Sequence, residues 1–151
     1  SVTNIEYGAF FNCQRLGSVT IPNGVTSIGN SAFKGCSSLE SLDVSNWNTS
    51  NVTSMLGTFN GLGGYSSSWN IGNLSNWDTG NVTTMKEIFT YAGYSSTIWD
   101  IGDLSNWDTS KVTNMQGMFS ETGRYATWSL DCSNWNVDNV TSYAGFFSHF
   151  A

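Results

Sequence analysis

Hydrophobic residues return along this chain in a fixed phase, over a distance longer than one helix or strand. Val52, Met55 and Phe59 recur as Val82, Met85 and Phe89, and again as Val112, Met115 and Phe119. A tryptophan column runs beside them, Trp47, Trp77, Trp107 and Trp135, at intervals of 30, 30 and 28 residues. The polar residues between them repeat too. The segment 104–115 reads Leu-Ser-Asn-Trp-Asp-Thr-Ser-Lys-Val-Thr-Asn-Met, and its counterparts lie at 44–55, 74–85 and 132–143. Self-similarity at this period marks a repeat array, in which each unit buries its apolar face only by stacking on its neighbours.

The Val-Thr pair sets the phase, and we place the coil starts at Val2, Val25, Val52, Val82, Val112 and Val140 within one array spanning 1–151. In the first coil the apolar positions are Val2, Ile5, Ala9, Phe10, Leu16, Val19 and Ile21; the second repeats them as Val25, Ile28, Ala32, Phe33, Leu39, Leu42 and Val44. Segments 41–45, 69–75, 99–105 and 128–133 alternate apolar and polar residues, the period of a half-buried strand. Gly72 and Gly102 interrupt that alternation, which suggests bulges. The expected architecture is a right-handed, leucine-rich-repeat-like solenoid. Its parallel β-sheet lies on one face and short helical or 3₁₀ turns, from Val-Thr-x-Met-x-x-x-Phe, lie on the other. The Asn-Trp-Asp-Thr motifs make the corners.

Two motifs carry a family resemblance. The segment 25–42, Val-Thr-Ser-Ile-Gly-Asn-Ser-Ala-Phe-Lys-Gly-Cys-Ser-Ser-Leu-Glu-Ser-Leu, resembles the BspA-type leucine-rich repeat. The segment 104–119, with Leu-Ser-Asn-Trp-Asp-Thr-x-x-Val-Thr-x-Met-x-x-x-Phe, resembles the related repeat of bacterial surface proteins and mycoplasma lipoproteins. The resemblance implies a leucine-rich-repeat solenoid, a cell-surface or extracellular location, and adhesion or protein binding. The chain departs from the pattern at 60–68 and 90–98, where Gly-, Ser- and Tyr-rich insertions replace the short Cys-Ser-Ser-Leu step.

Composition narrows the function. Only 11% of residues are charged while 15% are aromatic, which suits short strands and tight turns rather than disorder. With five Lys plus Arg and a net charge of −6, the chain has no basic patch for a nucleic acid. No apolar run is long enough to span a membrane. Ser1 and Ala151 both fall inside repeats, so a piece of a longer protein is expected.

Catalytic chemistry is sparse. His149 is the only histidine, and there is neither a Cys-x-x-Cys pair nor a Ser/His/Asp set. Asp78 and Asp108 repeat in phase but become Asn48 and Asn136 in the flanking units, as corner-capping residues would. An enzyme is not expected. The two Trp series (Trp47, Trp77, Trp107 and Trp135; Trp69, Trp99 and Trp128) and the Met series read as core. Cys13 and Cys36 occupy matching positions and form either a bridge or, as we favour, a ladder of small buried thiols. Cys132 occupies the column of Val44, Leu74 and Leu104 and reads as core. Asn-x-Ser/Thr sequons at Asn48, Asn51, Asn73, Asn81 and Asn139 mostly coincide with the corner motif.

Two features are not explained by packing. Thr20, Asp43, Asn73, Asp103 and Asp131 form an outward row, with Asp100 nearby. Like charges at strand spacing repel, which points to a cation or a basic ligand, or else to a solvated acidic face. Ca²⁺ on this row is the one cofactor the sequence offers. The second feature is the set of inserted loops, 61–68, 92–97 and 122–127, carrying Tyr65, Tyr94 and Tyr125. Insertions in successive repeats map to one face, and Tyr with Ser and Gly is the composition of binding loops. The candidate ligand-binding residues are therefore Tyr65, Tyr94, Tyr125, Asp43, Asn73, Asp100, Asp103 and Asp131. The expected partner is a host or neighbouring-cell surface protein, a glycan, or further copies of the chain. The alternative reading is a structural spacer or self-assembling fibre segment.

Overall fold

The computed structural model describes residues 2–148; His149 therefore lies outside the described residues. Regular secondary structure is confined to two strands, β1 (Asn4–Ile5) and β2 (Ser27–Ile28), paired in parallel with Asn4 opposite Ser27 and Ile5 opposite Ile28. Beyond these, the β-pairing among the described residues consists of isolated parallel bridges between repeats. One series runs Ser18, Ser41, Asn70, and another Ser54, Thr84, Asn114, Ser142. No described residue is helical. The expected leucine-rich-repeat-like solenoid, with a sheet on one face and helical or 3₁₀ turns on the other, is thereby corrected.

The reason lies in where the backbone N–H groups go. In the stretch after Met55, alternate residues close short turns within their own repeat: Thr58 donates to Met55 (3.3 Å), Asn60 to Gly57 (3.2 Å) and Leu62 to Phe59 (3.0 Å). The residues between them donate outward to the next repeat: Gly57 to Lys86 (2.9 Å), Phe59 to Ile88 (3.0 Å) and Gly61 to Thr90 (2.7 Å). Half of the N–H groups thus leave the segment, so no i→i−4 ladder can form. The third residue of several turns has positive φ, as at Gly61 (70°) and Gly63 (59°), a value that ends helical propagation. In the other repeats Ser31, Glu87, Tyr91 and Glu121 adopt the same left-handed conformation without being glycine.

The expected strands fail for a related reason. Asn70 Oδ1 accepts the Gly72 N–H at 2.8 Å, and Asp100 Oδ1 accepts that of Gly102 at 3.0 Å. Asn73, Asp103 and Asp131 take the N–H groups of Ser75, Ser105 and Ser133 in the same way. Donors needed for a continuous ladder are spent on local side chains. Gly72 also has φ 87°, and a Cβ there would fall 2.3 Å from Ser45 Oγ of the preceding repeat.

Side-chain columns hold the repeats together. Phe10, Phe33, Phe59, Phe89, Phe119 and Phe147 stack ring on ring at 4.9, 6.1, 5.9, 5.5 and 5.7 Å. Trp77, Trp107 and Trp135 stack at 6.4 Å with nearly parallel planes. Met55, Met85 and Met115 are buried beside them. A second layer, Thr49, Thr79 and Thr109, is buried and donates across repeats to the carbonyls of Asp78, Asp108 and Asn136. Low charge with abundant Thr and Asn is thus a bonding requirement, because each inward polar atom must meet a backbone group one repeat away.

Three expectations about the core need correction. Cys132 is exposed, because the last described repeat leaves the end of its column uncovered. Trp128, at the same end, is only half-buried. Cys13 is exposed and Cys36 buried, so the pair is not a ladder of buried thiols; both are free, and Cys36 Sγ donates to the Phe10 carbonyl at 3.0 Å.

Candidate functional site

The inserted loops pack as successive layers. Tyr65 N–H donates to Ser37 O at 2.8 Å, Ser95 N–H to Gly64 O at 3.0 Å, and Gly123 N–H to Ala92 O at 3.0 Å. Each loop turns at a positive-φ glycine, Gly63, Gly93 or Gly123, tucked against the buried Trp69 and Trp99 or the half-buried Trp128. At Gly63 a Cβ would fall 1.7 Å from Trp69 Cδ1, so the indole fixes the loop's path.

The tyrosines do not form the single column that the sequence suggests. Tyr65 and Tyr125 lie two residues after their glycines, but Tyr94 lies only one after Gly93. Tyr94 therefore shares its column with Gly64 and Arg124, and the rings spread into a patch. Tyr65 and Tyr125 are 77% and 64% exposed, and Tyr94 is half-buried. Tyr94 meets Tyr125 edge-on at 5.8 Å and tilts against Tyr91 at 5.8 Å. The Arg124 guanidinium lies 5.8 Å from the Tyr94 ring centre and pairs with Glu121 at 2.6 Å. Desolvation holds the Tyr94 hydroxyl above its ordinary pKa, while the nearby Arg124 charge works against that shift.

Beside this patch runs an open groove of about 350 Å³ lined by Tyr65, Tyr91, Tyr94, Gln14, Asn60 and the Ser37 region. Tyr91, Gln14 and Asn60 were not singled out in the sequence. For Tyr91 a signal existed: it occupies the column of Gly61, where a bulky residue at φ 57° is unusual. Ser37 Oγ is buried and has no hydrogen-bond partner among the described residues.

The acidic row lies elsewhere. Asp43, Asn73, Asp100, Asp103 and Asp131 are all exposed. Asn73 and Asp100 line a different groove, about 440 Å³, which shares no lining residue with the tyrosine groove. Each carboxylate serves its own turn. Asp43 Oδ1 accepts both Ser45 Oγ (2.6 Å) and Ser45 N–H (3.0 Å), and these bonds, the side-chain one first, lower its pKa. The backbone and then the side chain of Ser105 lower Asp103, and those of Ser133 do the same for Asp131. Among the described residues no group of three or more His, Cys, Asp or Glu is gathered where a metal ion could be held. The corner acids behave as capping residues: Asp78 and Asp108 accept the N–H groups of Gly80 and Ser110, as Asn48 and Asn136 do for Ser50 and Asp138.

Stacked repeats, ladder-bonded loops and an open aromatic groove define a tandem-repeat protein whose most distinctive surface is made by its insertions. Residues 29–151 match the family described as Mycoplasma protein of unknown function, DUF285, and the chain belongs to that family. This agrees with the mycoplasma part of the resemblance and does not extend to the BspA-type leucine-rich repeat. No curated protein and no solved structure matches the chain. No helix among the described residues is long and apolar enough to cross a membrane.

Proposed function

We propose that this chain is a non-enzymatic binding module of a cell-surface or secreted protein, and that it binds through the tyrosine groove. The observation that carries the reading is the gathering of Tyr65, Tyr91, Tyr94 and Tyr125 on one surface by loops inserted in successive repeats. Exposed rings clustered in this way favour a partner that covers them. Rigid rings beside the amides of Gln14 and Asn60 suit a glycan, whose sugar faces stack on aromatics while its hydroxyls bond to amides. Net charge −6 with few cations argues against strongly anionic glycans.

The test is a glycan array probed with the wild-type chain and a Tyr65/Tyr94/Tyr125→Ser variant. The variant should keep its melting temperature and lose its array signal. If it unfolds, the rings support the fold and the site is wrong; if it folds and retains binding, the ligand lies elsewhere.

A further inference from the structure

The stack opens locally where Asn70 and Asp100 meet, between the third and fourth coils and with further coils packed on both sides. The bridge series Ser18, Ser41, Asn70 is not carried on to Asp100, and the Asp100 N–H has no acceptor among the described residues. Around the opening the two coils are in full contact. Trp69 and Trp99 stack at 4.6 Å, and the Leu74 N–H donates to the Ile101 carbonyl at 2.8 Å. The result is the groove of about 440 Å³ on which Asn70, Asn73, Ile98 and Asp100 lie. Its volume falls in the range of small-molecule sites, roughly 300–1,000 Å³.

The turns fix which atoms this groove offers. Asn70 Oδ1 and Asp100 Oδ1 hold the N–H groups of Gly72 and Gly102, and Asn73 Oδ1 holds the N–H and hydroxyl of Ser75. A backbone N–H must be met by oxygen, so both carboxamides are oriented with their nitrogens left over. Asn70 Nδ2, Asn73 Nδ2 and Asp100 Oδ2 bond to no described group. The Asn73 head lies over Gly102, where a Cβ would fall 2.2 Å from its Oδ1, and the Gly102 N–H is the one Asp100 holds; the two heads are therefore neighbours. A cation here would meet amide nitrogens, and an anion would meet the Asp100 carboxylate. A hydroxyl suits both, because it accepts and donates at once. At the rim Ile98 is 62% exposed. Its N–H and C=O are both tied to the buried Ser96 Oγ, at 3.2 and 2.7 Å, which holds this backbone in place at the rim.

We propose that this groove binds an uncharged sugar residue through two adjacent hydroxyls. One hydroxyl donates to Asp100 Oδ2 and accepts from Asn73 Nδ2, its neighbour accepts from Asn70 Nδ2, and the C–H face of the ring lies against Ile98. The groove shares no lining residue with the tyrosine groove, so either reading can fail without the other.

Neighbouring repeats supply the variants that test it. The column of Asp100 holds Asn70, the column of Asn73 holds Asp103, and each closes the same turn. Asp100→Asn and Asn73→Asp therefore keep the turn and exchange only the free acceptor or donor. The wild-type chain is titrated with the methyl glycosides of glucose, galactose, mannose and N-acetylglucosamine and followed by amide NMR. At least one sugar should shift, saturably, the side-chain amide signals of Asn70 and Asn73 and the backbone signals of Gly72 and Gly102. Each variant should melt as a folded protein and weaken that sugar about tenfold or more, the loss expected when a charged or amide partner is exchanged for its opposite. No shift at these positions with any of the four sugars overturns the proposal. Shifts confined to the tyrosine loops overturn it too, since the sugar would then occupy the other groove. So does undiminished binding by both folded variants.

Discussion

The indole N–H of Trp107 donates to the backbone carbonyl of Leu74 at 3.0 Å, across the boundary between two repeats. Trp77 and Trp135 make the same bond to Val44 and Leu104, at 3.1 and 2.8 Å. The tryptophan column is therefore both apolar filling and a row of side-chain struts. Trp47 is the exception, since its buried Nε1 has no partner among the described residues.

That contrast can be measured. Trp107→Phe and Trp47→Phe remove similar buried area, but only the first breaks a bond. Trp107→Phe should cost about 1 kcal/mol more than Trp47→Phe in urea unfolding, the net worth of one such hydrogen bond. Leu74 O keeps the Trp77 N–H at 3.1 Å, so no orphaned carbonyl inflates the difference. Equal losses would mean that the indole bond contributes nothing net.

Phe89 lies at the middle of the Phe column, fully buried between Phe59 at 5.9 Å and Phe119 at 5.5 Å. Phe89→Ala should cost roughly 3–5 kcal/mol, because neighbours held by backbone ladders on both sides cannot collapse into the hole. A loss below about 1 kcal/mol in denaturant titration would remove the column from the core.

Acid stability follows from the turn-closing carboxylates. Asp43, Asp103, Asp108 and Asp131 all have pKa values lowered in the folded state by bonds from the Ser two residues on. Their contribution is therefore present above the ordinary value of 3.8 and is lost as pH falls through the lower folded values. Asn73 closes the same turn without a charge, accepting from Ser75 N and Oγ at 2.9 and 2.6 Å. Asp103→Asn should thus preserve stability at neutral pH and lessen the acid loss. Asp103→Ala should lower stability at neutral pH, since it removes the acceptor of the Ser105 N–H. Thermal melts of the three proteins across the acid range decide this; an unchanged acid profile in Asp103→Asn would mean that the charge carries none of it.

The thiols should separate kinetically. Burial, and then the neighbouring Cys13, push the Cys36 thiol up to about 11, whereas Cys13 and Cys132 are exposed. At about pH 8 a maleimide should label two thiols rapidly and Cys36 only after unfolding, since the thiolate is the reacting form. Rapid labelling of all three in the folded protein would place Cys36 outside the core.

The repeat phase was legible because columns of Trp, Phe and Met are side-chain facts, and in-phase recurrence survives whatever path the backbone takes. Corner capping was legible at Asp78 and Asp108 because Asn in the flanking units shows that an acceptor oxygen is needed there and a charge is not. The secondary structure was misread. Alternation at 69–75 suggests a strand, but Asn70 and Asn73 take the N–H groups that a ladder would need. Val-Thr-x-Met-x-x-x-Phe suggests a helical turn, but every second N–H there bonds to the next repeat.

The tyrosine patch divides in the same way. The sequence alone determined that Tyr65, Tyr94 and Tyr125 sit on loops inserted in successive repeats. Only the tertiary structure decided that the loop glycines set the columns and so put Tyr94 out of line, that Tyr91 joins it, and that Asn73 and Asp100 line a separate groove. Composition and period specify which residues recur, since stacking needs like groups above like. The direction of each backbone N–H depends on a neighbour about thirty residues away, and whether that neighbour or a local side chain captures it is settled only when the repeats stack.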